Sequence, residues 1–139
     1  MAGVLVGLSF CAASRAADQP PPAKAPLSAS PPAGAENADI IKAGERAFRL
    51  HCRSCHAVGN KAVSRKGPTL NGVTGQKAAQ AQDFKFSDAL QKSGLVWTEK
   101  NFVDYNMNPQ RMLAGTSKKM PVIKDEKILK DIYLYLQQF

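Results

Sequence analysis

Residues 52–56 read Cys52-Arg53-Ser54-Cys55-His56. The spacing Cys-x-x-Cys-His is the attachment signal for c-type haem. On a helical turn Cys52 and Cys55 stand three residues apart, His56 stands four from Cys52, and all three share one face. Two thiols so placed add to the two vinyl groups of haem as thioethers, and the imidazole just beyond them reaches the iron as an axial ligand. The stretch therefore predicts one covalently bound haem c, held through Cys52 and Cys55, with His56 on the metal.

Two other chemistries use a Cys-x-x-Cys pair: a redox disulfide, and half of a zinc site. A zinc site needs two further ligands. The remaining cysteine is Cys11 and the remaining histidine is His51, which adjoins Cys52 and is badly placed to share its metal. A thioredoxin-like motif needs a βαβ setting, whereas the residues after His56 form a loop rich in Gly, Lys and Ser: Gly59, Lys61, Ser64, Arg65 and Lys66.

Working outward, the 139 residues suffice for one domain, and the first quarter does not belong to it. Residues 1–13 are apolar and uncharged, and Ser14-Arg15-Ala16 supplies small residues for a peptidase. Residues 1–17 thus read as a signal-like leader, too short to span a bilayer comfortably and lacking a basic residue before the apolar run. Cys11 raises a lipoprotein reading, against which Phe10 is bulky for the cleavage site. Residues 18–36 hold six of the nine prolines and form an extended, disordered spacer. It serves as a membrane tether if the leader stays, or as a loose extension if it is cut. The folded unit is residues 37–139. Covalent attachment of c-type haem in bacteria takes place outside the cytoplasmic membrane, so an exported, periplasmic protein is expected.

Over residues 36–139 there are 17 Lys/Arg and 10 Asp/Glu, a balance of +7. A small basic domain suits an acidic protein partner. Nucleic acid is the usual rival, but no binding motif of that class is present.

The rest of the domain reads as helices. Asn37 or Asp39 caps a first helix in which Ile40, Ile41, Gly44, Ala47, Phe48 and Leu50 recur at near-helical spacing. Gly44 is costly inside it unless another element packs close. Ser87 caps a short helix to Lys92, ended by Gly94. Thr98 caps the next, with Trp97 and Phe102 as a hydrophobic staple, and Pro109 ends it. An irregular stretch, 111–120, follows. Asp125 opens a last helix with Ile128, Leu129, Ile132, Tyr133, Tyr135, Leu136 and Phe139 on a broad apolar stripe. No strand pattern of any length occurs. The fold class is all-α, with about four to five short helices wrapped around the haem.

His56 leaves one axial position. Met107 and Met112 read as core filler, the usual role of methionine. Met120 lies late in an extended loop and is stiffened by Pro121, a good setting for a thioether held over a flat ring. The metal ligands expected are His56 and Met120. Such ligation raises the potential and closes both faces of the iron.

With these landmarks in order, the chain resembles the class I c-type cytochromes, monohaem electron carriers related to mitochondrial cytochrome c, over about residues 40–139. The resemblance rests on Gly44 and Phe48, Cys52-Arg53-Ser54-Cys55-His56, Gly67-Pro68-Thr69-Leu70-Asn71-Gly72, Trp97, Tyr105, Asn108-Pro109, Gly115-Thr116, Met120 and the aromatic last helix. It implies that the Pro68 carbonyl bonds the distal ring nitrogen of His56. It also implies that Trp97 bonds a haem propionate, that Tyr105 lies near the Met120 sulfur, and that Gly44 lets the first and last helices cross near Tyr135. The chain departs from the family where Gln76 aligns with an arginine, where Phe86 and Leu90 align with a tyrosine and an asparagine, and where residues 115–120 run two residues longer.

The function implied is a periplasmic single-electron carrier and no enzyme, monomeric, docking on an oxidase, reaction centre or dehydrogenase. Lysines about the haem edge (Lys61, Lys66, Lys118, Lys119) would do the steering, giving rates that fall with salt. The alternative is a haem c subunit of a periplasmic oxidoreductase complex, such as a sulfite or sulfur-compound dehydrogenase. A haem-based sensor or weak peroxidase ranks below both, because it needs an open iron and a distal histidine.

Overall fold

The computed structural model describes residues 33–118 and 123–139. The expected leader, most of the spacer and Met120 lie outside the described residues. Five helices appear in order: α1 (Ala33–His51), α2 (Asp88–Lys92), α3 (Glu99–Met107), α4 (Pro109–Met112) and α5 (Glu126–Leu136). Among the described residues the only β pairing is an isolated antiparallel bridge between Lys77 and Val96.

α1 begins four residues before Asn37, so neither Asn37 nor Asp39 is its cap. Alanine-rich sequence propagates a helix readily, and Glu36 stands in the first turn, where a carboxylate suits the positive end of the helix dipole. α2, α3 and α5 start where their caps predict. The Ser87 side chain accepts from the Leu90 amide, Thr98 from Asn101, and Asp125 from Lys127 and Ile128. Pro109 ends α3, but it also starts α4 as its first residue, a place where its missing N–H costs nothing. Asn108 therefore caps α3 at its end and α4 at its start, its side chain accepting from Arg111.

α1 and α5 pack across each other at Gly44. A Cβ built there would run into the Asp131 carbonyl, 2.7 Å from its carbon, and would lie 2.8 Å from Tyr135 Cβ. The main core is sealed on α5 by Leu129, Ile132 and Leu136, with Phe48 from α1 and Phe102 and Val103 from α3. Leu50 faces away from it and is 78% exposed, because residue 50 falls on the far side of α1 from Phe48. Phe139 lies beyond α5, edge-on to Tyr135 and 40% exposed. A smaller cluster joins Ala78, Leu90 and Tyr105, with Trp97, Met112 and Leu113 packed on it.

A polar clasp at Ser64 helps tie the long loop from the motif to α2. The amide and hydroxyl of Ser64 donate to the Asp83 carboxylate at 2.9 and 2.7 Å, and the Thr69 amide donates to Ser64 Oγ at 2.9 Å. The hydroxyl and amide of Ser64 hold the Asp83 carboxyl below its ordinary value. The unfolded chain thus takes up this proton at a higher pH than the folded one. The clasp acts in full above the ordinary carboxylate pKa, and its contribution is lost as pH falls through the lowered folded value. In Asp83→Asn this acid dependence disappears, and the fall in denaturant midpoint between pH 7 and pH 3 becomes slightly shallower. The effect is small because Asp83 is solvent-exposed; identical falls in both proteins would refute the clasp.

Candidate haem site

The motif continues the last turn of α1. The Cys52 amide donates to the Phe48 carbonyl at 2.8 Å, and the amides of Cys55 and His56 return to the Cys52 carbonyl at 3.1 and 2.9 Å. Buried Phe48 anchors this turn, and Cys52 packs against the same core. Both cysteines are free thiols and half-buried. Burial pushes the Cys52 thiol up to about 11, with Lys118 drawing it down and Cys55 raising it further. A redox-active Cys-x-x-Cys has a lowered thiol pKa, the opposite of the shift at Cys52. Among the described residues no three His, Cys, Asp or Glu side chains gather to hold a metal ion.

His56 is oriented by the next loop. Its Nδ1 lies 2.7 Å from the Pro68 carbonyl oxygen. A carbonyl only accepts, so Nδ1 carries the proton and donates, leaving the Nε2 lone pair free. Burial lowers the His56 pKa, as does Lys118, and the Pro68 bond opposes them. The ring is therefore neutral at pH 7, the form that ligates a metal. Gly67 lies against its other side: a Cβ there would sit 2.8 Å from both ring nitrogens. The Gly67 amide donates to the Cys55 carbonyl at 3.0 Å, tying this loop back to the motif.

Further candidate site residues come from α3, from Trp97 just before its cap, and from the segment after α4. Trp97 and Tyr105 meet edge to face, 5.1 Å between centroids. Trp97 is fixed through its backbone: its carbonyl accepts from the Gly75 amide and from the Tyr133 hydroxyl, each at 2.9 Å, and its amide donates to Gln76. The Tyr105 hydroxyl bonds the Thr116 hydroxyl. Lys118 turns inward rather than outward as a docking lysine. Its ammonium donates to Asn106 and lies 5.5 Å from the Tyr105 ring centre. Burial lowers its pKa, and negative charge on Cys52 or Cys55 in the thiolate form opposes that. Lys61 and Lys66 are exposed.

These residues fit a covalent haem c. Two free thiols and a neutral imidazole stand on one turn, and Cys52 packs against the same apolar and aromatic core as Trp97. Of the residues expected at the site, Cys52, Cys55, His56 and Pro68 come together and Trp97 pairs with Tyr105; Met120 lies outside the described residues. Asn106 and Gln110 have no motif spacing to reveal them, and no spacing reveals the partners of Thr116, Lys118 and Tyr133.

The sequence model of the family described as Cytochrome c matches residues 41–139. The chain belongs to the cytochrome c family. Cytochrome c2 of Rhodoblastus acidophilus is 42% identical over 97 residues, 70% of this chain and 90% of that protein. Cytochrome c-550 of Bradyrhizobium diazoefficiens is 36% identical over 97 residues, 70% and 71% of the two chains. Among solved structures, cytochrome cH from Methylobacterium extorquens matches with a TM-score of 0.64 at 39% identity, covering 71% of this chain and 98% of that one. The five helices are thus a cytochrome c fold. Family membership brings covalently bound haem c, and makes this cytochrome an electron-transfer protein rather than an enzyme.

Proposed function

We propose that this cytochrome is a periplasmic single-electron carrier with one haem c, attached through Cys52 and Cys55 and ligated by His56 and Met120. The observation that carries the reading is the His56 imidazole, oriented through Nδ1 by the Pro68 carbonyl and beside two free thiols. Bound haem c supplies an iron that cycles between two oxidation states one electron at a time. The chain's part is to hold the axial ring in one tautomer and orientation, to line the site with apolar surface, and to supply a second axial thioether so that small ligands stay out. Trp97 would meet a propionate, and Tyr105 would stand beside the Met120 sulfur.

Export supports the reading, since the leader-like residues 1–17 precede a motif that bacteria fill outside the cytoplasmic membrane. No helix of the described residues is long and apolar enough to cross a membrane. Partners are redox proteins with acidic surfaces, drawn by a balance of +8 over the whole chain. The reading as a haem c subunit of a sulfur-compound dehydrogenase is not favoured by the relatives, which are named cytochrome c2 and cytochrome c-550.

The test is an optical spectrum of the purified holoprotein, oxidised and reduced, with carbon monoxide added to the reduced form. A six-coordinate low-spin spectrum with the weak sulfur-to-iron band is expected. In Met120→Ala that band disappears and carbon monoxide binds. Ready carbon monoxide binding by the native protein would refute the closed site.

A further inference from the structure

We propose that Gln110 is a positioning residue, a clasp on the main chain that leads to Met120. The inference rests on the His56/Met120 reading and deepens it.

The described residues after α4, 113–118, form no helix or strand. Their carbonyls therefore have no ladder to join, and something else must hold them. Two attachments use side chains of the segment itself: the Thr116 hydroxyl on Tyr105 and the Lys118 ammonium on Asn106. Gln110 is different. Its Nε2 donates to the Thr116 carbonyl at 2.8 Å and to the Lys118 carbonyl at 3.3 Å. A carboxamide nitrogen has two hydrogens, and here each meets one carbonyl. Two main-chain groups two residues apart are thus fixed to one side chain. That side chain stands on a firm base, the first turn of α4, with Pro109 buried and Asn108 capping the turn.

The clasp sits in an irregular run of chain, residues 113–118. Such a run has conformational freedom to lose on closing. Gln110 bonds on both sides of Ser117 and so removes that freedom where it arises. The chain then enters residue 119 from a point tied to α4.

An outside ligand that replaces the thioether binds only when this loop opens, so its apparent affinity is set by the open fraction. Losing two hydrogen bonds of ordinary net strength raises that fraction roughly tenfold. The experiment is an imidazole titration of the ferric holoprotein, followed by the loss of the sulfur-to-iron band, with denaturant midpoints measured alongside. Gln110→Leu keeps the bulk and removes both donors. Gln110→Glu offers only acceptors to the two carbonyls. Both should bind imidazole about tenfold more tightly, with the denaturant midpoint lowered by no more than that same tenfold change in the folding equilibrium implies. Gln110→Lys restores donors and should return most of the affinity to the parent value.

Parent-like imidazole affinity in the leucine and glutamate variants would overturn the clasp, and so would a lysine variant as loose as the leucine one. Met120→Ala separates this from failure of the parent reading. If it keeps the sulfur-to-iron band, Met120 is not the ligand and the clasp falls with it. If it loses the band while Gln110→Leu behaves as the parent, the clasp alone is wrong.

Discussion

Gly44→Ala should unfold the domain far more readily than any other single methyl addition to α1. In an exposed helix interior this change stabilises by about 1 kcal/mol, since alanine is the better helix former. Here the sign reverses. The added methyl meets the Asp131 carbonyl and Tyr135 Cβ, both rigid parts of α5, and no flexible side-chain end is there to move aside. Overpacking of this kind costs about 1–3 kcal/mol and more where backbone must retreat. Against a total of roughly 5–15 kcal/mol for a domain this size, that is a large share. The cost also spreads. α5 carries the Tyr133 hydroxyl that holds Trp97, and α1 carries Phe48, on which the motif turn is built. Separating the two helices therefore disturbs both parts of the candidate haem site. The check is the denaturant midpoint of the holoprotein by circular dichroism, with Glu45→Ala on the exposed side of α1 as control. A Gly44→Ala protein as stable as its parent would mean that the helices do not cross there.

Gly44 was legible in the sequence because its reason is local and paradoxical: a residue that weakens a helix must be kept for contact. The caps Ser87, Thr98 and Asp125 were legible because each acts within its own first turn. The motif was legible because covalent chemistry imposes its spacing. Pro109 was half legible. Its power to stop α3 is a property of the preceding residue, but its use as the first residue of α4 depends on Asn108 turning the chain. Lys118 was misread for a tertiary reason. A lysine in a polar loop is ordinarily solvated, and only the buried Asn106 oxygen and the Tyr105 face, brought from α3, draw it inward. The same holds for Gln110 and Tyr133, whose partners lie 6 and 36 residues away. No periodicity or spacing encodes such pairs. Leu50 shows the opposite failure: apolar recurrence along α1 included it, although its angle on the helix points it away from α5.

Gly67→Ala should leave the fold nearly intact and disable the axial imidazole. The methyl would lie 2.8 Å from both ring nitrogens of His56, too close to coexist. One of two things must give. If Gly67 retreats, its amide leaves the Cys55 carbonyl and the Pro68 carbonyl moves with it. If the ring rotates, Nδ1 leaves Pro68 directly. Either way the 2.7 Å bond that fixes tautomer and orientation is lost, and losing such a partner typically weakens metal ligation roughly 10–100-fold. The pH dependence gives an independent sign. Burial is the main cause that holds the His56 pKa down. A ring displaced toward water regains a higher pKa, so protons compete for Nε2 at higher pH. The acid midpoint at which the low-spin spectrum is lost should therefore move upward, while the denaturant midpoint at pH 7 changes much less than in Gly44→Ala. Pro68→Ala is the control, because it keeps a backbone carbonyl at residue 68 and should shift the acid midpoint less. An unchanged acid midpoint in Gly67→Ala would show that the imidazole is not held between Gly67 and Pro68. The two glycines then divide the labour of the fold: one sets how closely the helices cross, the other how tightly a single ring is gripped.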